Sequence, residues 1–332
     1  MSLEYANNKT ILVTGGTGSF GRRYVKHLLV NSSAKKIIIF SRDERKQHQM
    51  RQQLKDARLR FFLGDVRDLP RLQRALYGVD IVVHAAALKQ IDTLEYNPFE
   101  AVKTNIIGSQ NVIDAGIDLN VEKVLLISTD KAAQPANLYG STKLCAEKLF
   151  INGNSYSRGK TSLSCVRYGN VIGSRGSIVE TLLNNREAKK VSITDERMTR
   201  FWITYDQAMD LVDFALTAMA GGEIFIPKIP SMKLVDLFEA LVPDAEREVV
   251  GIRPGEKLHE LLVTNEEARH TIELEDYYVI LPEDPSIFDE KRYKDILDDG
   301  KELHTDFSYA SHTNSIWLTP EALVELIMKQ LQ

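Results

Sequence analysis

A doubly wound parallel α/β sheet with a smaller, mixed C-terminal domain is the fold class that the sequence predicts, on three observations. Near the start an apolar run, Thr10 to Thr14, passes directly into Gly15-Gly16-Thr17-Gly18-Ser19-Phe20-Gly21 and an amphipathic stretch from Arg22 to Val30: strand, glycine turn, helix. Short apolar runs then alternate with helical segments up to Val166, the order that produces parallel strands joined by crossover helices. Beyond Gly173 the elements become shorter and mixed.

Each element adds a constraint. Glycines at 15, 18 and 21 let the backbone turn tightly, let a pyrophosphate approach the amides and let the helix pack on the sheet, with the positive helix end beneath. A dinucleotide cofactor is therefore expected on Gly15, Thr17, Gly18, Ser19, Phe20 and Gly21. The second strand, Lys36 to Phe40, ends about 20 residues after the glycine turn, where such a fold reads the adenosine ribose. NAD enzymes place a carboxylate there; this chain puts Ser41 and Arg42 first, with Arg45 and Lys46 behind, which suits a 2′-phosphate and predicts NADP. Asp43 and Glu44 support the alternative of a plain solvated helix start.

A third strand, Phe61 to Val66, carries Asp65, whose carboxylate is expected to accept from the adenine amine, with Val66 beside it. The fourth, Asp80 to Ala87, ends in small residues, and Ala85 and Ala86 allow the backbone to approach the cofactor; His84 is expected to be structural. Lys89 leads into a loop that Asn97-Pro98 breaks, and a helix from Glu100 to Ala115 carries Thr104 and Asn105. The next strand, Val124 to Ile127, runs out into Ser128-Thr129-Asp130-Lys131, and a helix follows through Tyr139-Gly140-Ser141-Thr142-Lys143 to Phe150. Tyr139 and Lys143 lie one turn apart on one face. A Lys ammonium beside a phenol favours the phenolate, so Tyr139 is expected to accept a proton nearer neutral pH than the ordinary value of about 10. Taken alone, a Tyr and a Lys four apart are also a chance helical pair.

Ser162 to Val166 is a further strand, followed by Arg167-Tyr168-Gly169-Asn170-Val171. A helix is expected from Tyr205 to Ala220, then a short strand, Gly222 to Pro227, returning to the main sheet. Val249 to Glu260 reads as a strand end, a turn and a helix start, with Arg253 suited to clamp a diphosphate or ribose. The tail from Pro282 is charged and ends in a helix after Thr319-Pro320.

Composition narrows the partners. With 42 basic and 46 acidic residues in 332, net charge −4, the chain has no general attraction for nucleic acid or an anionic membrane, and a small molecule is the expected partner. No apolar run approaches the roughly 18 residues that span a bilayer, and the polar start Met1 to Thr10 has no signal-peptide core, so a cytoplasmic location is expected. Cys145 and Cys165, among apolar neighbours, read as buried thiols. The seven His residues are scattered, and no metal site is expected.

With the glycine turn, His84-Ala85-Ala86-Ala87, Thr129, Tyr139, Lys143 and Arg167-Tyr168-Gly169-Asn170-Val171 in this order, the chain resembles the extended short-chain dehydrogenase/reductases that act on nucleotide sugars, over nearly its whole length. Within them Ser128-Thr129-Asp130-Lys131, Asn137-Leu138-Tyr139-Gly140, Met198-Thr199-Arg200-Phe201-Trp202 and the run Arg253 to Glu260 are similar to the inverting UDP-N-acetylglucosamine 4,6-dehydratases that open the pseudaminic acid pathway. Retaining dehydratases carry Asp-Glu where this chain has Asp130-Lys131, and 4-epimerases lack that acid-base pair.

The resemblance implies a Rossmann-type dinucleotide-binding domain over 1–172 plus 201–228 and a nucleotide-sugar-binding domain over 173–200 plus 229–332. It implies tightly bound NADP, recycled within each turnover, UDP-N-acetylglucosamine as substrate, and a homo-oligomer. Tyr139 is then the proton acceptor at the sugar 4-hydroxyl, Thr129 a bond to the same oxygen, and Lys143 the group that lowers the Tyr pKa and holds the nicotinamide ribose. Asp130 or Lys131 handles the carbon 5 proton; at a strand tip, partial burial is expected to lower the Lys131 pKa toward neutral pH, with the adjacent carboxylate pulling the other way. Lys89, Thr104, Asn105 and Asn170 are implied near the sugar, and Arg200, Arg253 and Glu256 near UDP. Two other readings are open: a 4-epimerase or reductase of the same fold, and a cofactor-sensing regulator, which would need no Tyr-Lys pair.

Overall fold

A computed structural model describes residues 3–331. Seven parallel strands form the main sheet in the order 59–63, 36–41, 10–14, 81–84, 123–127, 162–166 and 224–227. The order reverses beside Thr10–Thr14, so the crevice at the carboxyl ends of these strands is where an open sheet of this kind takes a ligand. Burial on both faces explains the apolar runs: all five residues of Thr10–Thr14 and all four of Ile81–His84 are buried. Ile224–Pro227 pairs in parallel with Ser162–Val166, returning to the sheet as expected.

The main sheet then gains three antiparallel strands, Tyr277–Ile280, Thr271–Glu273 and Lys301–Glu302, from the stretch assigned by sequence to the sugar-binding domain. Val263, Val279, Tyr293 and Tyr309 join the main core with them. A separate, smaller core gathers Ile172, Val179, Met198, Trp202, Leu237, Phe238 and Leu323. The part of 229–332 that builds the second core is therefore its beginning, 232–245, and its end, 318–327.

Other boundaries shift. The third strand stops at Leu63, leaving Asp65 and Val66 beyond its tip. The expected helix from Glu100 is one rod running Pro98–Asp118 through a π-helical segment, Val102–Ile107, that carries Thr104 and Asn105. No helix starts at Glu256; the chain there turns and enters the strand Leu261–Val263.

A buried ion network fixes the strand tip that carries Ser128. Arg167, fully buried, donates to Glu147 at 2.7 Å and 3.1 Å and to Glu267 at 2.8 Å and 2.9 Å. Ser128 adds a 2.5 Å bond to Glu147, and Arg167 a 2.9 Å bond to the Leu262 carbonyl. Removing one carboxylate strands a buried guanidinium, so Glu147→Ala is expected to cost about 3–5 kcal/mol. Urea unfolding measures it; a loss below about 1 kcal/mol, the worth of an exposed ion pair, would contradict the network's role.

Candidate active site

The glycine turn and four strand tips enclose a cavity of about 390 Å³. Gly15, Thr17, Gly18, Ser41, Arg42, Lys46, Asp65, Val66, Ala85 and Ala86, all expected at the cofactor, line it. Ser19, Phe20 and Gly21 open the helix Ser19–Asn31 that follows the turn. The cradle fits a dinucleotide because its glycines hold a tight turn against the Ala85–Ala86 loop and the start of the following helix, leaving a cleft lined by Thr17, Ser41, Arg42 and Lys46. At Gly15, with φ +64°, a Cβ would stand 2.9 Å from the Ala85 and Ala86 backbone, and at Gly21 it would stand 2.6 Å from the Gly15 carbonyl. Thr14 Oγ1 accepts from the Ala85 and Ala86 amides and contacts His84 Nδ1 at 2.7 Å. His84 Nε2 contacts Ser109, and burial holds the ring's pKa down to about 3, so His84 is a neutral brace for this loop.

At the adenosine end the carboxylate nearest the strand tip is already engaged. Asp43 caps the helix Glu44–Gln53 by accepting from the Lys46 amide at 2.9 Å, and pairs with the Lys46 ammonium at 3.0 Å. Arg42 is half-exposed, 3.4 Å from Asp65, whose carboxylate is gripped by Arg67 at 2.7 Å and 3.0 Å. Ser41 hydrogen-bonds the buried Gln47, a support that the sequence did not single out.

Tyr139, Thr129, Asp130 and Lys131 meet where the strand Lys123–Ile127 gives way to the helix Leu138–Gly153. Asn137 caps that helix, accepting from the Gly140 amide at 2.8 Å, and Gly140 lies so close to the Lys131 carbonyl that a Cβ would collide with it. Asp130 is wholly buried; its Oδ1 accepts from Thr129 at 2.9 Å and from Lys131 at 2.8 Å, while Oδ2 has no partner. Lys131 also donates to Asn170 at 2.9 Å.

The electrostatics correct two expectations. The Lys143 ammonium donates to the Ile127 carbonyl at 2.8 Å, and burial brings its pKa down to about 8. Burial pushes the Tyr139 phenol up to about 12 instead of down; Lys131 is the cation that opposes this, with the nearby Thr129 hydroxyl acting the same way, while Asp130 adds to it. Lys131 is not a lysine of lowered pKa either. Burial lowers it, but Asp130 and Glu260 outweigh that and hold it above the usual range, while burial raises Asp130.

Several side chains implied at the sugar do other work. Asn105 is buried and clamps the Leu88 backbone at 2.8 Å and 2.9 Å while donating to Thr142, so it shapes the loop instead of facing a substrate. Thr104 lines the dinucleotide cavity, with a buried Oγ1 that has no partner. Lys89 donates to the Arg175 carbonyl at 3.0 Å. Arg253 and Glu256 form a turn, the Glu256 carboxylate accepting from the Arg253 amide at 3.2 Å, and the Arg253 side chain is exposed. Asn137 docks this turn by donating to the Gly255 carbonyl at 2.9 Å, and Lys257 reaches the Ala133 carbonyl, so the turn sits beside the Tyr139 helix. Arg200 bonds the Thr199 and Leu258 carbonyls and stands 3.8 Å from Glu260. Sequence reasoning missed Asn137, Lys257 and Glu260 as site residues, although all three fall within the motifs quoted for the resemblance. Among the described residues no cluster of His, Cys, Asp and Glu suits a metal, and no helix is long and apolar enough to cross a membrane.

A family model described as polysaccharide biosynthesis protein matches residues 11–282. The chain is 47% identical over 326 residues to UDP-N-acetylglucosamine 4,6-dehydratase (inverting) of Campylobacter jejuni, covering 97% of this chain and 98% of that one. It is also 40% identical over 331 residues to UDP-glucose 4-epimerase of Rickettsia conorii, covering 97% and 96%. Among solved structures, Pen from Bacillus thuringiensis shares 35% identity and a TM-score of 0.88, covering 98% of this chain and 99% of that one. The chain belongs to this polysaccharide biosynthesis protein family, a branch of the extended short-chain dehydrogenase/reductases.

Proposed function

We propose that the protein catalyses NADP-dependent 4,6-dehydration of UDP-N-acetylglucosamine with inversion at carbon 5, giving a UDP-2-acetamido-2,6-dideoxy-L-arabino-hexos-4-ulose. The observation that carries this is the buried Asp130–Lys131 pair packed against Thr129 and Tyr139. A 4-epimerase, the activity named for the Rickettsia relative, would use Tyr139 and leave that pair without a task. Similarity to the inverting dehydratase supports the same choice.

Gly15, Thr17, Gly18, Arg42, Lys46, Ala85, Ala86 and Thr104 would hold the cofactor. Lys143, at the Ile127 tip, would hold its nicotinamide ribose. When bound, NADP supplies a hydride acceptor for carbon 4 and a hydride donor for carbon 6, so no net redox occurs. Tyr139 takes the 4-hydroxyl proton while Thr129 bonds the same oxygen. The ketone at carbon 4 then acidifies the carbon 5 hydrogen. Asp130 has no exposure, whereas the Lys131 side chain retains some, so Lys131 is the member that reaches the substrate. It passes a proton to Asp130 across the 2.8 Å contact and takes the one on carbon 5. The carbon 6 oxygen accepts a proton from the pair and leaves as water. A proton returned to the opposite face of carbon 5 inverts it.

Arg200, Arg253 and Glu256 would bind UDP, the last two from the turn docked on Asn137. We also place the protein in the cytoplasm as a homo-oligomer opening pseudaminic acid synthesis, on the strength of the resemblance. Incubation with UDP-N-acetylglucosamine, followed by proton NMR, tests the function: a 4-keto-6-deoxy product of L-arabino configuration is expected, and UDP-N-acetylgalactosamine would establish the epimerase.

Asp43, spent as a helix cap, does not offer the ribose carboxylate of an NAD site, which favours Arg42 meeting a 2′-phosphate. Arg42→Ala is expected to cost about 1–3 kcal/mol of NADP binding and little of NAD binding. Titration calorimetry with each cofactor measures the difference; equal losses would refute the assignment.

A further inference from the structure

Glu260 is a buried carboxylate that the reaction just described does not use. Its backbone is anchored: the amide donates to Ser311 Oγ at 2.9 Å, and the carbonyl accepts from the Ser311 amide at 2.8 Å. Its side chain enters a ring of three cations from three parts of the chain. Oε1 stands 3.5 Å from Lys131 and 3.8 Å from Arg200, and Oε2 stands 3.5 Å from Lys257. Oε2 accepts no hydrogen bond, and the residue is 3% exposed. Glu147 differs sharply: equally buried, it is held by bonds of 2.5–3.1 Å. Burying a carboxylate costs several kcal/mol per ion, and close bonds are what repay it. Glu260 has charge near it and few bonds to it, the arrangement of a group whose charge matters more than its contacts.

We propose that Glu260 is a positioning residue that keeps the Lys131 ammonium charged and links it electrostatically to Arg200. This rests on the reading of Lys131 as the acid–base group and of Arg200 as a UDP contact. The charged groups around Lys131 set the balance, Lys257 among them through the Glu260 carboxylate that the two lysines share. Asp130 and Glu260 favour its charge; Arg200 and Lys89 oppose it, and Tyr139 faces it from its own helix. Asp130 is adjacent in sequence and cannot respond to the nucleotide. Glu260 faces both cations, so when Arg200 turns toward a diphosphate, Glu260 is left to Lys131 and Lys257. Nucleotide binding then raises the proton affinity of Lys131, which strengthens it as the acceptor of the carbon 5 proton once its own has passed to Asp130.

The test reads Lys131 directly. Trace acylation of the full-length protein from neutral to strongly alkaline pH, quantified by mass spectrometry against the exposed Lys55, reports the fraction of Lys131 present as free amine. Glu260→Gln, nearly the same shape without the charge, is expected to raise Lys131 labelling about tenfold at a given pH, a midpoint one unit lower. Glu260→Asp, which keeps the charge but holds it farther from Lys131, should lower the midpoint by less than Glu260→Gln does. UDP should suppress Lys131 labelling in the parent more strongly than in Glu260→Gln. An unchanged midpoint in folded Glu260→Gln, with thermal melting as the check on folding, overturns the proposal. If Glu260→Gln does not fold, an unchanged midpoint in Glu260→Asp, whose shorter side chain withdraws the carboxylate, overturns it as well. Failure of the dehydratase reading shows separately, as absence of carbon 5 exchange by the parent in deuterated water.

Discussion

Lys131→Ala is expected to abolish elimination while leaving the cofactor in place. The residue lies outside the dinucleotide cavity, and Gly140, whose contact with the Lys131 carbonyl sets this corner, is unchanged. Losing a positioned acid–base group costs about 10²–10⁴-fold in rate. Here Lys131 serves both the carbon 5 proton and the carbon 6 oxygen, which places the loss at the upper end. The substitution also strips Asp130 of its cation, so part of any effect would be destabilisation. Lys131→Gln separates the two, because its amide still donates to Asp130 but cannot carry a proton. Both variants should be inactive, and Lys131→Gln should melt closer to the parent. In deuterated water the parent should give product with deuterium at carbon 5 and the L-configured ring. Product of D-gluco configuration at carbon 5, formed at full rate by either variant, would refute the inverting mechanism.

The parallel half of the fold was legible because its signals are local. An apolar strand buried on both faces reads as a continuous run, and a glycine turn between strand and helix has few other uses. The strands that extend the sheet beyond Ile224–Pro227 were not legible. Thr271–Glu273 and Lys301–Glu302 are three and two residues long, and their pairing depends on partners distant in the chain. Both are too short for a period to show, and Lys301–Glu302 lies in the tail that read only as charged.

The site was legible as a set of residues but not as a set of charges. Tyr139, Thr129, Asp130 and Lys131 do meet, yet spacing alone made Lys143 the partner of Tyr139. One helical turn brings the two stems together and leaves a flexible ammonium free to choose its acceptor; it takes the Ile127 carbonyl. The proton affinity of Lys131 came out above the usual range because Asp130, and after it Glu260, outweigh burial; only Asp130 was visible beside it in the sequence, since Glu260 arrives from a segment whose approach is fixed by Ser311. Asn105 shows the same limit, since its chemistry suits a sugar but its neighbours are Leu88 and Thr142.

Tyr139→Phe is expected to stop the first step, transfer of hydride from carbon 4, by about 10²–10⁴-fold, with folding and cofactor binding intact. The ring stays, and the Asp130–Lys131 contact does not involve the phenol oxygen. Reduction of bound cofactor on mixing with UDP-sugar, followed by nicotinamide absorbance, isolates this step from elimination. The pH dependence carries a sign. Burial raises the phenol and the Lys131 charge opposes it, leaving the pKa at about 12. In the parent, hydride transfer should therefore quicken as pH rises, because more phenol is ionised. Lys131→Ala removes the cation that lowers the phenol pKa, so its alkaline limb should move to higher pH, whereas Tyr139→Phe should have no such limb. A Tyr139→Phe enzyme that reduces its cofactor at the parent's rate, with the same rise toward alkaline pH, would show that another group takes the 4-hydroxyl proton.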